Sequence, residues 1–551
     1  MPSRLDHAVT GLVAAAWVVM TASACLFVAR YGYNLPRQDE WEFVPALTGH
    51  EDPLAWVFAR HNEHRFPLAR VVYLGLHAAT GNNFRAGMWL TVVLLAGSAA
   101  TLCLAARTLR GRSALIDLAT PVLLLNAGHA ENLAMGYQIA FTLTVALLTT
   151  FLAAAVWSDR LGVRGVAWVC GLTTLGVALG GGIGWAFVPG LTLVTLHRVA
   201  AACRQSPHPY RAAAALSALP LAACMYVVGG VIELKLGPAR PVNDAATTLD
   251  VAFGFWTVAL GGAGQVGYPL PGLVVVGCVA EALLSAVVAI LFRPAERARA
   301  AAVAAVILGA VALSLVIGAT RPLGNESRYA AFGGLALCAA IVGRARPQPR
   351  GAAFGPGVML VPAFAAAVAW QDWKVGTGFA EVYAVRNAML NRDVGRGLPV
   401  NALAERHVIF PVAGYDRYFA MLHDSGHPSL RRAGPVRTLR TTALPLPAGV
   451  RLPAYDGIGP IPALVLPLPK PTRMDAVRLE INCPDSRYRE VWRLELSANA
   501  DESAGVTTVW LVPGRRTLLF RVEGTLDSIV IRPVERTLGL ELLKCEAVEY
   551  E

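Results

Sequence analysis

The feature that most constrains this chain is a series of long apolar runs between Ala8 and Trp370. A helix needs roughly 18 to 25 apolar residues to cross the hydrocarbon core of a bilayer, and many of these runs approach or reach that length. The chain of 551 residues is 55% hydrophobic and 15% charged, with a mean hydropathy of +0.49, which excludes the class of water-soluble globular proteins. Because lipid offers backbone groups no hydrogen-bond partner, each run is predicted to be a helix.

The apolar runs predict a polytopic α-helical membrane bundle of about 11 transmembrane helices. The first run follows Arg4 and lacks a clear cleavage site, so we interpret it as a retained helix rather than a signal peptide. A glycine run at 180–184 leaves open whether the fifth and sixth spans are two helices or one broken helix. The predicted spans lie near residues 8–29, 84–106, 114–127, 139–157, 165–180, 185–197, 212–231, 270–292, 300–319, 329–343 and 353–370.

Arginines cluster in alternate loops between the runs, and such residues favour the cytoplasmic side. The net charge of +11 therefore indicates orientation, and we expect no nucleic-acid partner. The pattern predicts a multi-pass protein of the cytoplasmic (inner) membrane with its amino terminus inside and its last domain outside. The outward segments hold nearly all the acids, histidines and amides suited to chemistry, and they are residues 30–83, 128–138, 232–269, 320–328 and everything after Trp370.

The last hundred residues change period. Apolar residues alternate from Asp475 onward, broken by Pro-Gly and Glu-Gly pairs, which indicates half-buried antiparallel strands. We predict three regions: a transmembrane domain at 1–370, a helical and Pro-rich linker region at 371–445, and an extracytoplasmic β-sandwich at 446–551. Cys483 and Cys545 lie in that last domain, and the sequence leaves open whether they form a disulfide.

The sharpest candidate site is Gln38-Asp39-Glu40-Trp41, about ten residues after the first predicted helix ends. A carboxylate near the membrane surface can take a proton from an acceptor hydroxyl or bind a divalent cation such as Mg²⁺ or Mn²⁺. Asp39 and Glu40 are therefore the candidate catalytic residues. The alternative is a solvated pair of acids beside the membrane.

A second candidate lies in the same outward segment, at His61-Asn62-Glu63-His64-Arg65. On a helix, His61, His64 and Arg65 would share one face, because positions three and four apart are neighbours. The spacing is not that of an HExxH metalloprotease, and the arginine favours an anion or phosphate. The alternative is an amphipathic interfacial helix without a ligand.

Two further polar patches are predicted on the outer side. Glu131 and Asn132, followed by Gln138, either line the same cavity as Asp39 or cap helix ends. Arg321, Arg328 and Tyr329 precede an apolar run, and arginine on the outer surface runs against the orientation rule. A lipid phosphate held by bidentate hydrogen bonds from Arg328 would explain it.

Glu281 lies near the middle of the eighth apolar run with no charged neighbour in sequence. Intramembrane acids are costly and are usually paired or functional, so Glu281 favours an ion-coupled transporter. The glycines around Gly182 lack the Lys-Ser/Thr of a phosphate-binding loop, which excludes a nucleotide site of that kind.

With a multi-helix bundle, Asp39 and Glu40 in the first outward loop and a soluble outer domain, the chain resembles the GT-C superfamily of membrane glycosyltransferases. That group includes protein O-mannosyltransferases and aminoarabinose transferases. The resemblance covers roughly residues 8 to 370 and matches single residues only at Asp39 and Glu40. The terminal strands resemble carbohydrate-binding jelly-roll modules, although a purely structural sandwich fits their few tryptophans as well.

The resemblance implies an inverting transferase of the hexosyltransferase type, with a loop carboxylate as the base. It implies a polyprenyl-phosphate-linked sugar donor and a glycan, lipid or protein acceptor at the outer face of the membrane. Two alternatives stay open: a transporter or lipid-linked-sugar translocase that uses Glu281, and a non-catalytic envelope assembly protein.

Overall fold

The structure is a computed structural model, and it describes residues 4–61, 65–236, 242–321, 324–346, 356–407, 415–434, 439–444, 451–452, 464–483, 492–498, 507–511, 514–533 and 540–550. The chain divides into two compact units. The first consists of Met1–Glu40 and Glu51–Ala384, and the second of Trp41–His50 and Val385–Glu551.

The first unit is helical and contains the membrane spans. Among the described residues, seven helices are long and apolar enough to cross a membrane, as expected of a multi-pass membrane protein. They are α1 (Arg4–Tyr31), α5 (Arg85–Arg110), α8 (Ile139–Val156), α9 (Ser158–Leu179), α12 (Pro209–Leu236), α15 (Leu270–Phe292) and α16 (Arg297–Thr320).

Shorter helices connect and flank these spans. They are α2 (Val44–Leu47), α3 (Pro53–Phe58), α4 (Pro67–Thr80), α6 (Ala119–Leu125), α7 (Ala130–Ala134), α10 (Gly182–Trp185), α11 (Val188–Arg204), α13 (Ala245–Thr257), α14 (Gly262–Val266), α17 (Ala330–Arg344) and α18 (Pro356–Gly395).

Every one of the eleven predicted spans coincides with helix, but not all are full-length spans. The run at 114–127 contains only the seven-residue α6 after a short 3₁₀ turn, and α11 and α17 have 17 and 15 residues. In the opposite direction, α18 continues for 40 residues. It runs from the predicted span at 353–370 into the predicted helical and Pro-rich linker region, so the predicted boundary at residue 370 falls inside a helix.

The glycine run separates two helices. The helix α9 ends at Leu179 and α11 begins at Val188, with only α10 between them. Gly181 has φ +104°, a backbone conformation that residues with a Cβ rarely adopt. The helix α13 and a following 3₁₀ turn together form an apolar helix at Ala245–Leu260, which is shorter than a full span.

Small residues allow the helices of this unit to approach closely, as is common between membrane helices. A Cβ added at Gly333 in α17 would lie 2.6 Å from the Cβ of Ala259. A Cβ added at Gly309 in α16 would lie 2.2 Å from the ring of Phe187, which is itself 1% exposed. These glycines therefore set interhelical distances that any larger residue would increase.

Glu281 has a partner that the sequence did not reveal. Its carboxylate forms an ion pair with Arg344 at the end of α17, 63 positions away along the chain. Both side chains are about half exposed, at 51% and 43%. The sequence identified no partner for Glu281, and this ion pair weakens the main reason for an ion-coupled transporter.

The second unit contains α19 (Val400–His407) and α20 (Tyr415–Asp424) together with seven strands. The ring of Trp41 stacks on that of Phe419 in α20 with a centroid distance of 4.4 Å. The strands are β1 (Leu439–Ala443), β2 (Arg451–Leu452), β3 (Leu464–Cys483), β4 (Trp492–Ala498), β5 (Thr507–Leu511), β6 (Gly514–Pro533) and β7 (Leu540–Tyr550).

All the described strands belong to one antiparallel sheet with the order β1-β7-β3-β6-β4-β5, and β2 pairs with β7. Alternation produces this sheet as predicted, since Val477, Leu479 and Ile481 of β3 are all buried. Two details differ from the sequence expectation. The Glu-Gly pair at 523–524 does not end a strand, because β6 continues past it opposite an irregular part of β3, and β1 lies in the predicted linker region. The two-sheet sandwich stays a prediction.

Cys545 is a free, buried thiol. The register of β3 against β7 places it opposite Leu479, four residues from Cys483, and the backbone of Cys483 pairs with Gly514 of β6 instead. A disulfide requires Cα atoms within about 7 Å, and four residues of strand span about 13 Å. The strand register therefore does not bring the two Cα atoms close enough for the disulfide that the sequence left open.

Candidate functional site

Asp39 and Glu40 lie on a 3₁₀ helix at Gln38–Phe43, which begins seven positions after α1 ends at Tyr31. A 3₁₀ helix has about three residues per turn, so consecutive side chains point about 120° apart. The two carboxylates accordingly have different surroundings. The side chain of Asp39 is 40% exposed, whereas Glu40 is 0% exposed.

Glu40 is held from three sides by hydrogen-bond donors. The backbone N–H of Arg37 donates to its Oε2 at 2.9 Å, and the Tyr137 N–H and the Tyr73 hydroxyl donate to its Oε1 at 2.8 and 3.1 Å. Gly136 makes this approach possible, because a Cβ there would lie 2.9 Å from Oε1. Burial raises the pKa of Glu40 to about 7, although the three donors oppose that shift. Its position is that of an anchor for the loop rather than a group open to substrate.

The two residues before Asp39 are also held in place by specific contacts. Gln38 has φ +49°, a left-handed conformation that is costly for a residue with a side chain. Its amide donates to the hydroxyl of Tyr383 at 3.2 Å, and the guanidinium of Arg37 lies over the same ring at 4.1 Å. The sequence analysis missed Arg37 and Tyr383, and the only signal was the position of Arg37 beside the acidic pair.

Asp39 faces a cluster of positive charge. Its Oδ2 lies 3.5 Å from Nε2 of His61. Burial alone would raise the pKa of Asp39, but the His61 hydrogen bond and the charges of His61, Arg328 and Arg321 outweigh it and lower the pKa below the ordinary value. Asp39 is therefore an accessible carboxylate that stays ionised.

The described members of the second candidate patch, His61 and Arg65, do not lie in a helix. The helix α4 begins only at Pro67, and the residue before a proline is biased away from helical geometry. His61 is buried against the rings of Phe66 and Tyr137. His64 lies outside the described residues. Arg65 donates to Glu233 at 2.8 Å, and Arg60 shares that carboxylate.

The third and fourth patches meet although they are 196 positions apart. The backbone N–H of Arg328 and the hydroxyl of Ser327 donate to Glu131 Oε2 at 2.9 and 3.1 Å, and the Glu131 N–H donates back to Ser327 Oγ at 3.1 Å. The amide of Asn132 donates to the carbonyl of Arg328 at 3.1 Å. Burial raises the pKa of Glu131, against the charge of Arg328. The position of Arg328 is thus set by Glu131 and Asn132.

The remaining predicted residues divide between surface and interior. Arg328 pairs with Glu326, and its charge and that of Arg321 act on Asp39. Tyr329 is 4% exposed and packs near the rings of Phe141 and Phe255, and burial raises its pKa to about 12. Gln138 is 1% exposed, and its Oε1 has no hydrogen-bond partner in the described structure.

The possible divalent cation near Asp39 stays a prediction. Among the described residues, no group of three or more His, Cys, Asp or Glu side chains is arranged to hold a metal ion. The neighbours whose charges act on Asp39 are a histidine and two arginines, and such charges repel a cation.

A cavity of about 230 Å³ lies beside Arg328. Glu131, Gln265 and the Asn325–Ser327 turn line it, together with Phe379 and a wall of glycines and alanines. Behind that wall, the sequence analysis missed Asp372, whose Oδ1 accepts the Ala263 N–H at 2.7 Å. Burial raises the pKa of Asp372 to about 7. An acid two residues past a predicted span was the signal that could have identified it.

Comparisons with known proteins give structural neighbours only, since no protein-family model and no curated protein matches the chain. The chain is similar to a crystal structure of ArnT from Cupriavidus metallidurans in the apo state, with 14% identity and a TM-score of 0.42, over 77% of this chain and 90% of that one. It is also similar to a cryo-EM structure of arabinosyltransferase EmbB from Mycobacterium smegmatis, with 11% identity and a TM-score of 0.35, over 98% of this chain and 64% of that one.

Proposed function

We propose that this protein is a membrane glycosyltransferase of the GT-C type. It moves a sugar from a polyprenyl-phosphate donor to a hydroxyl of an acceptor at the outer face of the cytoplasmic membrane. The observation that carries the proposal is the state of Asp39, an accessible carboxylate whose pKa is lowered by His61, Arg328 and Arg321.

In the proposed reaction Asp39 takes the proton of the acceptor hydroxyl. The acceptor oxygen then attacks the anomeric carbon of the donor sugar, the bond from that carbon to the phosphate oxygen breaks, and the configuration inverts. A base must be ionised before the step and within reach of substrate, and the exposed carboxylate of Asp39 meets both conditions. Glu40 positions the loop through its three hydrogen bonds.

The arginines stabilise the departing lipid phosphate. Arg328 is fixed through its backbone by Glu131 and Asn132, so its guanidinium side chain starts from a defined position. Preorganised positive charge at a developing anion is among the largest contributions to catalysis. Since Arg321 and Arg328 already supply that charge, Mg²⁺ or Mn²⁺ is not a required part of the scheme.

The test is transfer by purified protein from labelled polyprenyl-phosphate sugars, followed by determination of the anomeric configuration of the product. We expect acceptor-dependent transfer with inversion. Sugar movement across a vesicle membrane without a covalent product would contradict the proposal and favour the transporter or translocase. If the protein shows neither transfer nor sugar movement, the result would favour a non-catalytic assembly protein.

A substitution at Glu281 distinguishes the transferase from the transporter. Its ion pair with Arg344 gives it a structural role, so Glu281→Gln is expected to leave transfer within about twofold of wild type, as for surface substitutions of small energetic cost. A transporter that depends on Glu281 would instead lose sugar movement and its response to a pH gradient in the same variant.

A further inference from the structure

The cavity beside Arg328 differs in chemistry from the surroundings of Asp39. Its polar lining side chains are acids, amides and a hydroxyl from Glu131, Gln265, Asn325, Glu326 and Ser327. The other lining residues are glycines and apolar residues, and the described lining contains no lysine or arginine. Phosphate would meet two carboxylates there. Hydroxyl groups, in contrast, can donate to carboxylate and amide oxygens and accept from amide N–H groups.

The size of the cavity fits a single ring. Sites for drug-sized ligands have about 300 to 1,000 Å³, so the 230 Å³ here is too small for a lipid chain or an oligosaccharide. The lining includes the backbone of four glycines, which are Gly128, Gly261, Gly262 and Gly376. Phe379 also lines the cavity, and its ring centroid lies 5.2 Å from that of Tyr383.

We propose that this cavity binds one neutral polyhydroxylated ring, that is, a single unphosphorylated monosaccharide unit stacked on Phe379 with its hydroxyls bonded by Glu131, Gln265 and the Asn325–Ser327 turn. The identification of that ring as part of the transferase substrate rests on the proposed function. Glu131 then has two tasks, because one oxygen fixes Arg328 on the phosphate side while the carboxylate also lines the sugar cavity.

The experiment measures saturable binding of neutral methyl glycosides to the full-length protein in detergent by saturation-transfer NMR. The probes are methyl glucoside, mannoside, galactoside and arabinofuranoside, with glucose 1-phosphate as a charged comparator. The variants are Phe379→Ala and Gln265→Ala. The matched controls are Phe364→Ala, an exposed phenylalanine on the same helix, and Gln205→Ala, an exposed glutamine at the end of α11.

We expect at least one neutral glycoside to bind, with affinity about tenfold weaker in Phe379→Ala and Gln265→Ala, and unchanged in both controls. Glucose 1-phosphate should bind more weakly than the neutral sugar. Equal binding in all four variants, no saturable binding of any glycoside, or a preference for the phosphorylated sugar would overturn the proposal.

Two further arms separate this proposal from the transferase itself. Asp39→Asn should keep glycoside binding while it loses transfer. If the cavity variants weaken glycoside binding but the wild-type protein shows no transfer activity, the proposed function is contradicted and the cavity proposal stands. In the active protein, the KM values for acceptor and donor show which of the two substrates supplies the sugar ring in the cavity. A rise confined to the acceptor in Gln265→Ala assigns the cavity to the acceptor sugar, and a rise confined to the lipid-linked donor assigns it to the donor sugar.

Discussion

Asp39 and Glu40 are adjacent in the chain, yet one carboxylate is 40% exposed beside His61 and the other is fully buried beneath three hydrogen-bond donors. The pair therefore divides two tasks that the sequence assigned to both residues. Asp39 is the more exposed carboxylate and the proposed base, and Glu40 holds the loop that carries it.

Replacement of Glu40 should act on stability. In Glu40→Gln an amide group replaces one of the oxygens, so a donor such as the Arg37 N–H loses its acceptor. The expected loss is about 1 to 3 kcal/mol in the free energy of unfolding. Thermal unfolding in detergent measures it, with exposed Glu51→Gln as the control, which should cost less than about 0.5 kcal/mol. Equal stability of the two variants would show that the buried bonds have no such role.

The raised pKa of Glu40 also predicts a pH dependence. Its folded value of about 7 lies above the ordinary 4.5, so the protonated form favours the folded state. That contribution is fully present below about pH 4.5 and is lost as the pH rises through 7. Glu40→Gln should remove this decline from a series of unfolding curves between pH 4.5 and 8. An identical decline in wild type and variant would assign it to other groups.

The charges around Asp39 predict the acid limb of the pH–rate profile. With its pKa lowered, the base should remain ionised, and kcat/KM should stay constant, down to a pH below about 4. Arg321→Ala removes one of the positive charges, raises the pKa of Asp39 and should move the acid limb to higher pH. Arg299→Ala is the control, because that arginine pairs with Glu296. An unmoved limb in Arg321→Ala would contradict the assignment of Asp39 as the base.

A buried ion pair offers a test of the helical unit. Arg110 and Asp117 are 4% and 1% exposed and pair with each other, and Asp117 also accepts the Ala114 N–H at 2.9 Å. Asp117→Asn leaves a buried guanidinium without its counter-charge and should cost about 3 to 5 kcal/mol. The partly exposed pair of Arg112 and Asp6 is the comparison, and Asp6→Asn should cost less than about 1 kcal/mol by the same thermal unfolding measurement. Similar losses of stability in Asp117→Asn and Asp6→Asn would contradict the claim that the buried ion pair matters more than the exposed one.

Local sequence patterns predicted the helices well, because an apolar run of sufficient length has no other stable form in lipid. Features that depend on distant residues were not predictable. Glu281 meets Arg344 across 63 positions, and Glu131 meets Arg328 across 197. Similarly, no pattern indicated that Gln38 adopts a left-handed conformation, which is part of how the loop directs Asp39 outward and Glu40 inward.

The four outward patches show the same division. The sequence predicted that they share the outer face, and the structure brings Glu131 to Ser327 and Arg328 and places the charge of Arg328 where it acts on Asp39. It separates Arg65, which pairs with Glu233 instead. Which side chains meet depends on how the helices between these patches pack. The sequence of a single patch does not contain that information.

The most direct test of the central claim is the single-turnover rate of sugar transfer by purified protein in wild type and Asp39→Asn. The asparagine keeps the shape of the side chain but cannot accept the proton, so the rate should fall by about 10² to 10⁴-fold. Asp52→Asn is the matched control, since asparagine can cap α3 as aspartate does, and its rate should stay within about twofold of wild type. A rate for Asp39→Asn equal to that control would contradict the assignment of Asp39 as the catalytic base.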